Sequence, residues 1–442
     1  MRDPLGEAER LLERLSKKFD EAAVKVSIVD SVMVKASRGS VSVVQSWRDE
    51  DADVYIAKGG RIYVASTQLP SVERVIKAAE TIVERLQPSK LYAPLPEPSG
   101  ESCMKVDPQL EKSVEERDYA KLAALLGVDS GLDVSGMTMI YIVREALATS
   151  KGARLSRTVS GFEGYVRVFK EREVSGQWSW ASTSLDEGLA KTAFEKAEGI
   201  AGECVSLPRE PLGEGSYRLL FSPMTASQLL EYVASSALAG SVITGSSFLA
   251  GSKPGDAVAS EALTIVSTPR DQDLPGYATF DDEGVAARDI AFIDGGVFKT
   301  LLHNTKTAKV LGGESTGNGG WIFPRLFNLE VKPGDLSEDE VFEALGSGVY
   351  ITNNWYTRFQ NFLEGTFSTV PRDAAFTVKG GRPVACVPGF KIRVEGSLKT
   401  MIKGVEALTR ERYRIKWWEV ETPTKSPYMI VSENGGLRVR RA

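Results

Sequence analysis

The stretch from Ser222 to Gly320 constrains this chain more than any other. It opens with Ser222-Pro223-Met224-Thr225, a serine N-cap followed by proline in the first turn of a helix. Ala226, Leu229, Leu230, Val233, Ala237 and Leu238 then recur at helical spacing. A segment rich in glycine and serine follows (Gly240, Gly245, Ser246, Ser247, Gly251). Beyond it lie an acidic turn, Asp281-Asp282-Glu283-Gly284, and a hairpin signal at Asp294-Gly295-Gly296. The stretch closes with His303-Asn304 and the loop Ser315-Thr316-Gly317-Asn318-Gly319-Gly320. Helix, permissive backbone and polar groups converge here, so the functional groove is expected here.

His303 is the single histidine among 442 residues. A two-histidine metal site therefore cannot form within one chain. A serine or cysteine nucleophile using a histidine base would have to use His303. The chain has no Gly-x-Ser-x-Gly elbow and no phosphate-binding Gly-x-x-x-x-Gly-Lys-[Ser/Thr] loop. Cys103, Cys204 and Cys386 are far apart and lack Cys-x-x-Cys spacing, so three plain thiols are expected. A net charge of −5 argues against an extended nucleic-acid surface. The basic tail, Arg438, Arg440 and Arg441, is short. No run approaches the roughly 18 apolar residues of a membrane helix, and the N-terminus shows no signal-peptide core. No membrane association and a cytoplasmic location are the default expectations.

The periodicity predicts an α+β chain in two parts. Residues 1–208 read as a duplicated helix–sheet–helix domain, with repeats at about 1–88 and 110–203. Helices are expected at 3–20, 71–86, 110–126 and 185–198. Strands are expected at 23–36, 41–47, 52–56, 61–65, 138–143, 155–159, 165–168 and 177–181. The phrase Ala65-Ser66-Thr67-x-Leu69 recurs as Ala181-Ser182-Thr183-x-Leu185, each time before the closing helix. Proline-rich connectors occupy 88–109 and 208–215. Residues 209–442 read as a mostly β domain, a strongly bent sheet or barrel, with further helices at 338–345 and 397–408.

The same residues carry a resemblance. Phe280-Asp281-Asp282-Glu283-Gly284-Val285, Leu302-His303-Asn304-Thr305 ahead of Ala308, and Ser315-Thr316-Gly317-Asn318 resemble the signature of the TldD/PmbA family, also called the modulator of DNA gyrase family. Gly365-Thr366-Phe367-Ser368 and Ser426-Pro427-Tyr428-Met429 fit the same pattern in the same order. In the TldD branch the helix reads Leu-Leu-His-Glu-x-x-x-His-x-Leu-x-Gly. Its histidines bind zinc and its glutamate activates the metal-bound water. This chain reads Leu229-Leu230-Glu231-Tyr232, then Ser236, Leu238 and Gly240. Glu231 stands at the first ligand position, Tyr232 at the base and Ser236 at the second ligand. The cysteine ligand of that branch has no counterpart between Tyr413 and Pro427. The sequence thus resembles the PmbA/TldE branch.

The resemblance implies a non-catalytic subunit with no catalytic residues and no metal of its own. Zinc is expected in a TldD-like partner, and unfolded peptide as the substrate. A homodimer is the other assembly implied. Groove-lining candidates are Glu231, Tyr232, Ser236, His303, Asn304, Thr316, Gly317 and Asn318. Blander readings stand beside each: a solvent-facing helix for the first three, a hydrogen-bonded hairpin-end histidine for His303, and a plain connection for the glycine-rich loop. Asp281, Asp282 and Glu283 read as turn chemistry or as ligands for a hard cation. The glycine loop could also form an anion nest. Trp355, Tyr356, Phe359, Phe362, Trp417 and Trp418 fit an interface and a core equally well. The rival functions are a peptidase with atypical ligands and a regulatory protein-binding modulator.

Overall fold

The computed structural model describes residues 3–442. Helix α1 (Pro4–Ser16) starts where the Asp3 carboxylate accepts hydrogen bonds from the amides of Leu5 and Gly6. It buries Ala8, Leu11, Leu12 and Leu15 against the sheet that follows. Strands β1 (Glu21–Ser37), β2 (Ser40–Lys58) and β3 (Arg61–Gln68) form an antiparallel meander, followed by α2 (Val72–Ile82). After a short strand, β4 (Cys103–Lys105), come α3 (Pro108–Glu116) and α4 (Tyr119–Leu125). A second meander, β5 (Asp133–Thr149), β6 (Arg154–Glu171) and β7 (Val174–Ser182), leads into α5 (Glu187–Ser206).

The two meanders join edge to edge. Strand β1 pairs antiparallel with β5 from Ala23↔Thr149 to Ala36↔Gly136, giving the order β3-β2-β1-β5-β6-β4 with β7 also on β6. The same element order therefore occurs twice, with each Ala-Ser-Thr phrase at the end of the third strand. The strands are longer than expected. Residues 41–47 and 52–56 form one strand, as do 155–159 and 165–168. Both faces of β6 and β7 are covered, so alternation of apolar and polar residues fades along them. The helix expected at 110–126 is broken at Arg117, which takes the left-handed conformation (φ +55°) between α3 and α4.

The second half begins with β8 (Leu219–Phe221), α6 (Pro223–Ala237), α7 (Ala239–Ile243), β9 (Ile265–Ser267), β10 (Ile290–Asp294) and β11 (Val297–Phe298). Then come α8 (Thr305–Leu311), β12 (Leu329–Val331), α9 (Val341–Leu345), β13 (Gly348–Ile351), β14 (Trp355–Asn361) and β15 (Thr366–Val370). The chain continues through β16 (Ala375–Lys379), β17 (Arg382–Val387), β18 (Ile392–Ser397), α10 (Leu398–Met401), β19 (Val405–Leu408) and β20 (Tyr413–Trp417). It ends with β21 (Val420–Ser426), β22 (Met429–Val431) and β23 (Leu437–Arg441).

These strands form three open sheets, not a closed barrel: β11-β10-β9-β12-β21-β20, β17-β16-β13-β8-β22-β19 and β14-β15-β18-β23. The helix expected over 397–408 shrinks to α10, because Val405 to Leu408 pair instead with β22. Helix α8 escaped the periodicity reading. It is seven residues long and starts from a capping box between Asn304 and Thr307.

One apolar core spans both halves, from Val34, Ile140, Phe162 and Trp178 to Met224, Phe376, Trp417 and Ile430. Cys204 of α5 and Cys386 of β17 form a disulfide across this junction, with Cα atoms 5.1 Å apart. This corrects the expectation of three plain thiols. Cys103 is the free thiol, half-buried on β4.

Candidate functional site

Helix α6 is the axis of the second half. Ser222 caps it, accepting from the amides of Met224 (3.2 Å) and Thr225 (3.4 Å) while its hydroxyl donates to the Thr352 carbonyl. Of its fifteen residues, only Glu231, Tyr232 and Ser235 escape full burial. The solvent-facing reading of this helix therefore gives way to a helix enclosed almost all round.

Each altered position of the family motif has a structural partner. The Glu231 carboxylate accepts the amides of Glu421 (3.1 Å) and Thr422 (2.6 Å), stapling α6 to the start of β21. Burial pushes this carboxyl above its ordinary value, against the pull of those donors. The Tyr232 ring meets Phe359 edge-on, with centroids 4.7 Å apart. Burial, then Glu419 and Glu231, push its phenol up to about 12. The Ser236 hydroxyl donates back to the Tyr232 carbonyl (3.2 Å). One turn earlier, Gln228 Oε1 accepts from Asn354 and from the Thr357 hydroxyl (2.9 Å), while its Nε2 donates to Glu419 (2.5 Å).

These residues do not fit a zinc ion. The hydroxyl at the second ligand position is turned into the helix, and the ring at the base position is packed against an aromatic. Both oxygens at the first ligand position are taken by backbone amides.

The outward side of α6 runs into an aromatic edge. Strand β14 ends the four-stranded sheet and, among the described residues, pairs only with β15, in a register broken at two places. Trp355 is the hub. It lies 5.4 Å from Tyr356, 5.7 Å from Phe390 and 5.5 Å from Trp418, centroid to centroid. Phe359 stacks on Phe362 at 5.1 Å. Tyr356 (55% exposed), Phe362, Phe390 and Trp418 (52% exposed) all face outward. Tyr356 and Phe390 also hold positive φ, +61° and +65°, which non-glycine residues rarely adopt. Strain of this kind gathers at binding sites. The cluster is thus both core and surface: Trp417 is buried and its neighbour Trp418 is not. Arg372, Glu419 and Phe390 belong here and escaped the sequence reading. The adjacent Trp417-Trp418-Glu419 was the signal that could have pointed to Glu419.

The remaining candidates form a separate, buried polar network. His303 Nδ1 lies 3.2 Å from the Thr307 hydroxyl, and burial pushes its ring below its ordinary value. The His303 amide donates to the Thr316 hydroxyl (2.8 Å). Asn304 donates to the carbonyls of Gly320 and Ile322, 3.0 Å each, and Asn318 donates to Ser267 (3.1 Å) and to the Arg325 carbonyl (3.2 Å). Gly317 (φ +75°) leaves no room for a side chain: a Cβ there would lie 2.2 Å from the Ala286 carbonyl oxygen. Among the described residues no hydrogen bond links this network to Glu231 or Tyr232.

The acidic turn is the centre of that network. Asp281 accepts the amides of Glu283, Val285 and Gly319, so the glycine loop is tied down by a carboxyl group of the chain itself. Burial and Glu283 push Asp281 up to about 7 against those three donors. Burial works against the charge of Asp282, but Arg325 and Lys25, each 3.1 Å away, hold it below its ordinary value. Glu283 pairs with Lys306 at 2.7 Å, both fully buried, and Lys306 lies 4.6 Å from the Tyr55 ring centre. Lys25 and Tyr55 come from the first half, so the turn welds the two halves together. The cation-site reading gives way to internal ion pairs.

Comparison with known proteins agrees with this architecture. The profile of the PmbA/TldA metallopeptidase C-terminal domain matches residues 214–435, and that of PmbA/TldA metallopeptidase domain 1 matches residues 22–84. A metalloprotease of Methanothermobacter thermautotrophicus is 28% identical over 253 residues, 56% of this chain and 51% of that protein. Metalloprotease PmbA of Escherichia coli O157:H7 is 26% identical over 226 residues, 49% of this chain and 47% of that one. The matches thus span about half the length of these curated relatives. The crystal structure of TldE from Thermococcus kodakarensis superposes with a TM-score of 0.83 at 18% identity, covering 98% of this chain and 99% of the other. That similarity shows a shared fold. With half of its length matched by the family profile, the chain belongs to the TldD/PmbA family.

Proposed function

We propose that this chain is a PmbA/TldE-type, non-catalytic subunit of a TldD/PmbA metalloprotease assembly, and that it helps to form a groove for extended peptide. One observation carries the reading: all three altered motif positions on α6 are committed to structural contacts that leave no site for zinc or its water. In this reading the metal and the activated water come from a TldD-like partner, and a homodimer is the alternative assembly. The free edge of β14, lined by exposed aromatics, supports peptide binding by strand addition. Backbone pairing of that kind is largely independent of sequence and suits unfolded substrates.

The test is a peptidase assay on an unfolded substrate. The chain alone, a TldD-type chain carrying the intact His-Glu-x-x-x-His helix, and their mixture are compared. Cleavage is expected only where the intact helix is present, and this chain is expected to raise it or widen its substrate range. Turnover by this chain alone would overturn the reading.

A further inference from the structure

We infer that the outer edge of β2, from Ser40 to Glu50, pairs antiparallel with the same edge of a second copy of this chain. The surface is separate from the peptide groove at β14, so its failure would leave that reading standing.

Strand β3 covers β2 only from Asp51 onward, where Asp51 pairs with Gln68. From Ser40 to Glu50, β2 pairs with β1 alone among the described residues. This stretch is held in place. The Gly39 amide in its turn donates to the Val134 carbonyl of β5 (2.9 Å). One extra residue, Ser42, interrupts the pairing near the turn; from Val43 onward the register with β1 is continuous.

Edge strands of soluble proteins are blunted by charge, by proline or by a covering element. The run from Ser40 to Trp47 has no charged residue, no proline and no glycine. Val41, Val43 and Val44 are 45%, 41% and 52% exposed. Successive side chains on a strand point to opposite faces, so Val43 and Val44 leave apolar surface on both sides of the edge. β-Branched residues of this kind favour strand pairing. A fixed, apolar, unpaired edge calls for another strand.

Charge selects the partner and the direction. The uncharged run lies between Arg38 and the pair Asp49 and Asp51, all three exposed. Among the described residues none of the three forms an ion pair. Arg48, between them, is already held by Asp30 and Glu50. Partial burial, then Asp49 and Asp53, push the Asp51 carboxyl above its ordinary value, so this end gains from a cation. Antiparallel pairing sets the Arg38 end of each copy against the acidic end of the other, whereas parallel pairing sets acid on acid. An edge with a basic head and an acidic tail is complementary to itself, as a two-fold interface requires.

The experiment combines sedimentation velocity with cysteine cross-linking of the full chain. A dimer at micromolar concentration is expected. The double variant Val43→Lys/Val44→Lys alters two exposed positions and places like charges across the two-fold. It is expected to raise the dimer dissociation constant roughly tenfold or more with the thermal midpoint little changed. Single cysteines are then placed at Val43, Val44, Gln45 and Ser46 in a Cys103→Ser background and oxidised mildly. An antiparallel two-fold predicts disulfide-linked dimers that peak at one position and fall off on either side. Equal linkage at all four positions would mean parallel pairing and overturn the inference. A monomer, or a dimer that survives both lysines, would overturn it as well. Linkage that appears only when a TldD-type chain with a matching cysteine is added would overturn the second copy as occupant and assign the edge to that chain.

Discussion

Replacing Lys306 by methionine isolates the weld between the halves. In the intact protein Glu283 accepts from Lys306 Nζ (2.7 Å), the Thr305 amide (2.8 Å) and the Thr305 hydroxyl (2.6 Å), and both charged side chains are fully buried. Methionine keeps the length and loses the charge. Glu283 then keeps two neutral donors but no counter-ion. Breaking a buried pair in this way costs about 3–5 kcal/mol. The Tyr55 contact, with the cation 4.6 Å from the ring centre, contributes on the order of 1 kcal/mol within that loss. The assay is urea unfolding of the full chain followed by tryptophan fluorescence, to which Trp321, stacked on Tyr55, contributes. The double variant Lys306→Met/Glu283→Leu removes both charges and is expected to recover much of the loss. A single variant within about 0.5 kcal/mol of the parent, or a double variant no better than the single, would refute the reasoning.

The pH dependence has a defined sign at Asp281. Its folded-state value is raised to about 7, so its protonated form favours folding; the contribution is full below pH ~4 and fades as pH rises through 7. In Asp281→Asn, the fall in unfolding midpoint between pH 5 and pH 8 is expected to be smaller than in the parent; an equal fall counts against the assignment. Oxidised protein, denatured, is expected to titrate with one thiol and, after reduction, with three. Replacing Cys204 and Cys386 by serine should lower stability by about 2–5 kcal/mol, measured in urea without reductant. Gly317→Ala forces a Cβ against the Ala286 carbonyl from a left-handed backbone, so a loss of at least about 1 kcal/mol is expected by the same method.

Local signals in the chain were readable where the cause was local. Ser222-Pro223 marked the start of α6, and Asp294-Gly295-Gly296 marked the turn between β10 and β11. The helix expected at 338–345 forms as a tight turn over Glu338–Glu340 followed by α9. What stayed hidden was set by long-range partners. The extent of β6 depends on burial of both faces, and Arg117 breaks a helix that periodicity alone carries through. Cys204 and Cys386 meet across a sequence separation of 182. The signature residues looked like a groove because they are polar and clustered. Yet Asp282 finds Lys25 and Glu283 finds Lys306 under Tyr55, so much of the motif holds the halves together. At Glu231, Tyr232 and Ser236 the residue types alone argued against a zinc site; their particular contacts to β21, Phe359 and the helix itself needed coordinates.

The most direct measurement is the zinc content of the untagged, full-length chain after dialysis against buffered zinc. The account predicts well under a tenth of a zinc per chain, because Glu231 is held by backbone amides and neither Tyr232 nor Ser236 presents a ligand. Near one zinc per chain, lost on Glu231→Gln, would contradict it and return the metal chemistry to this subunit.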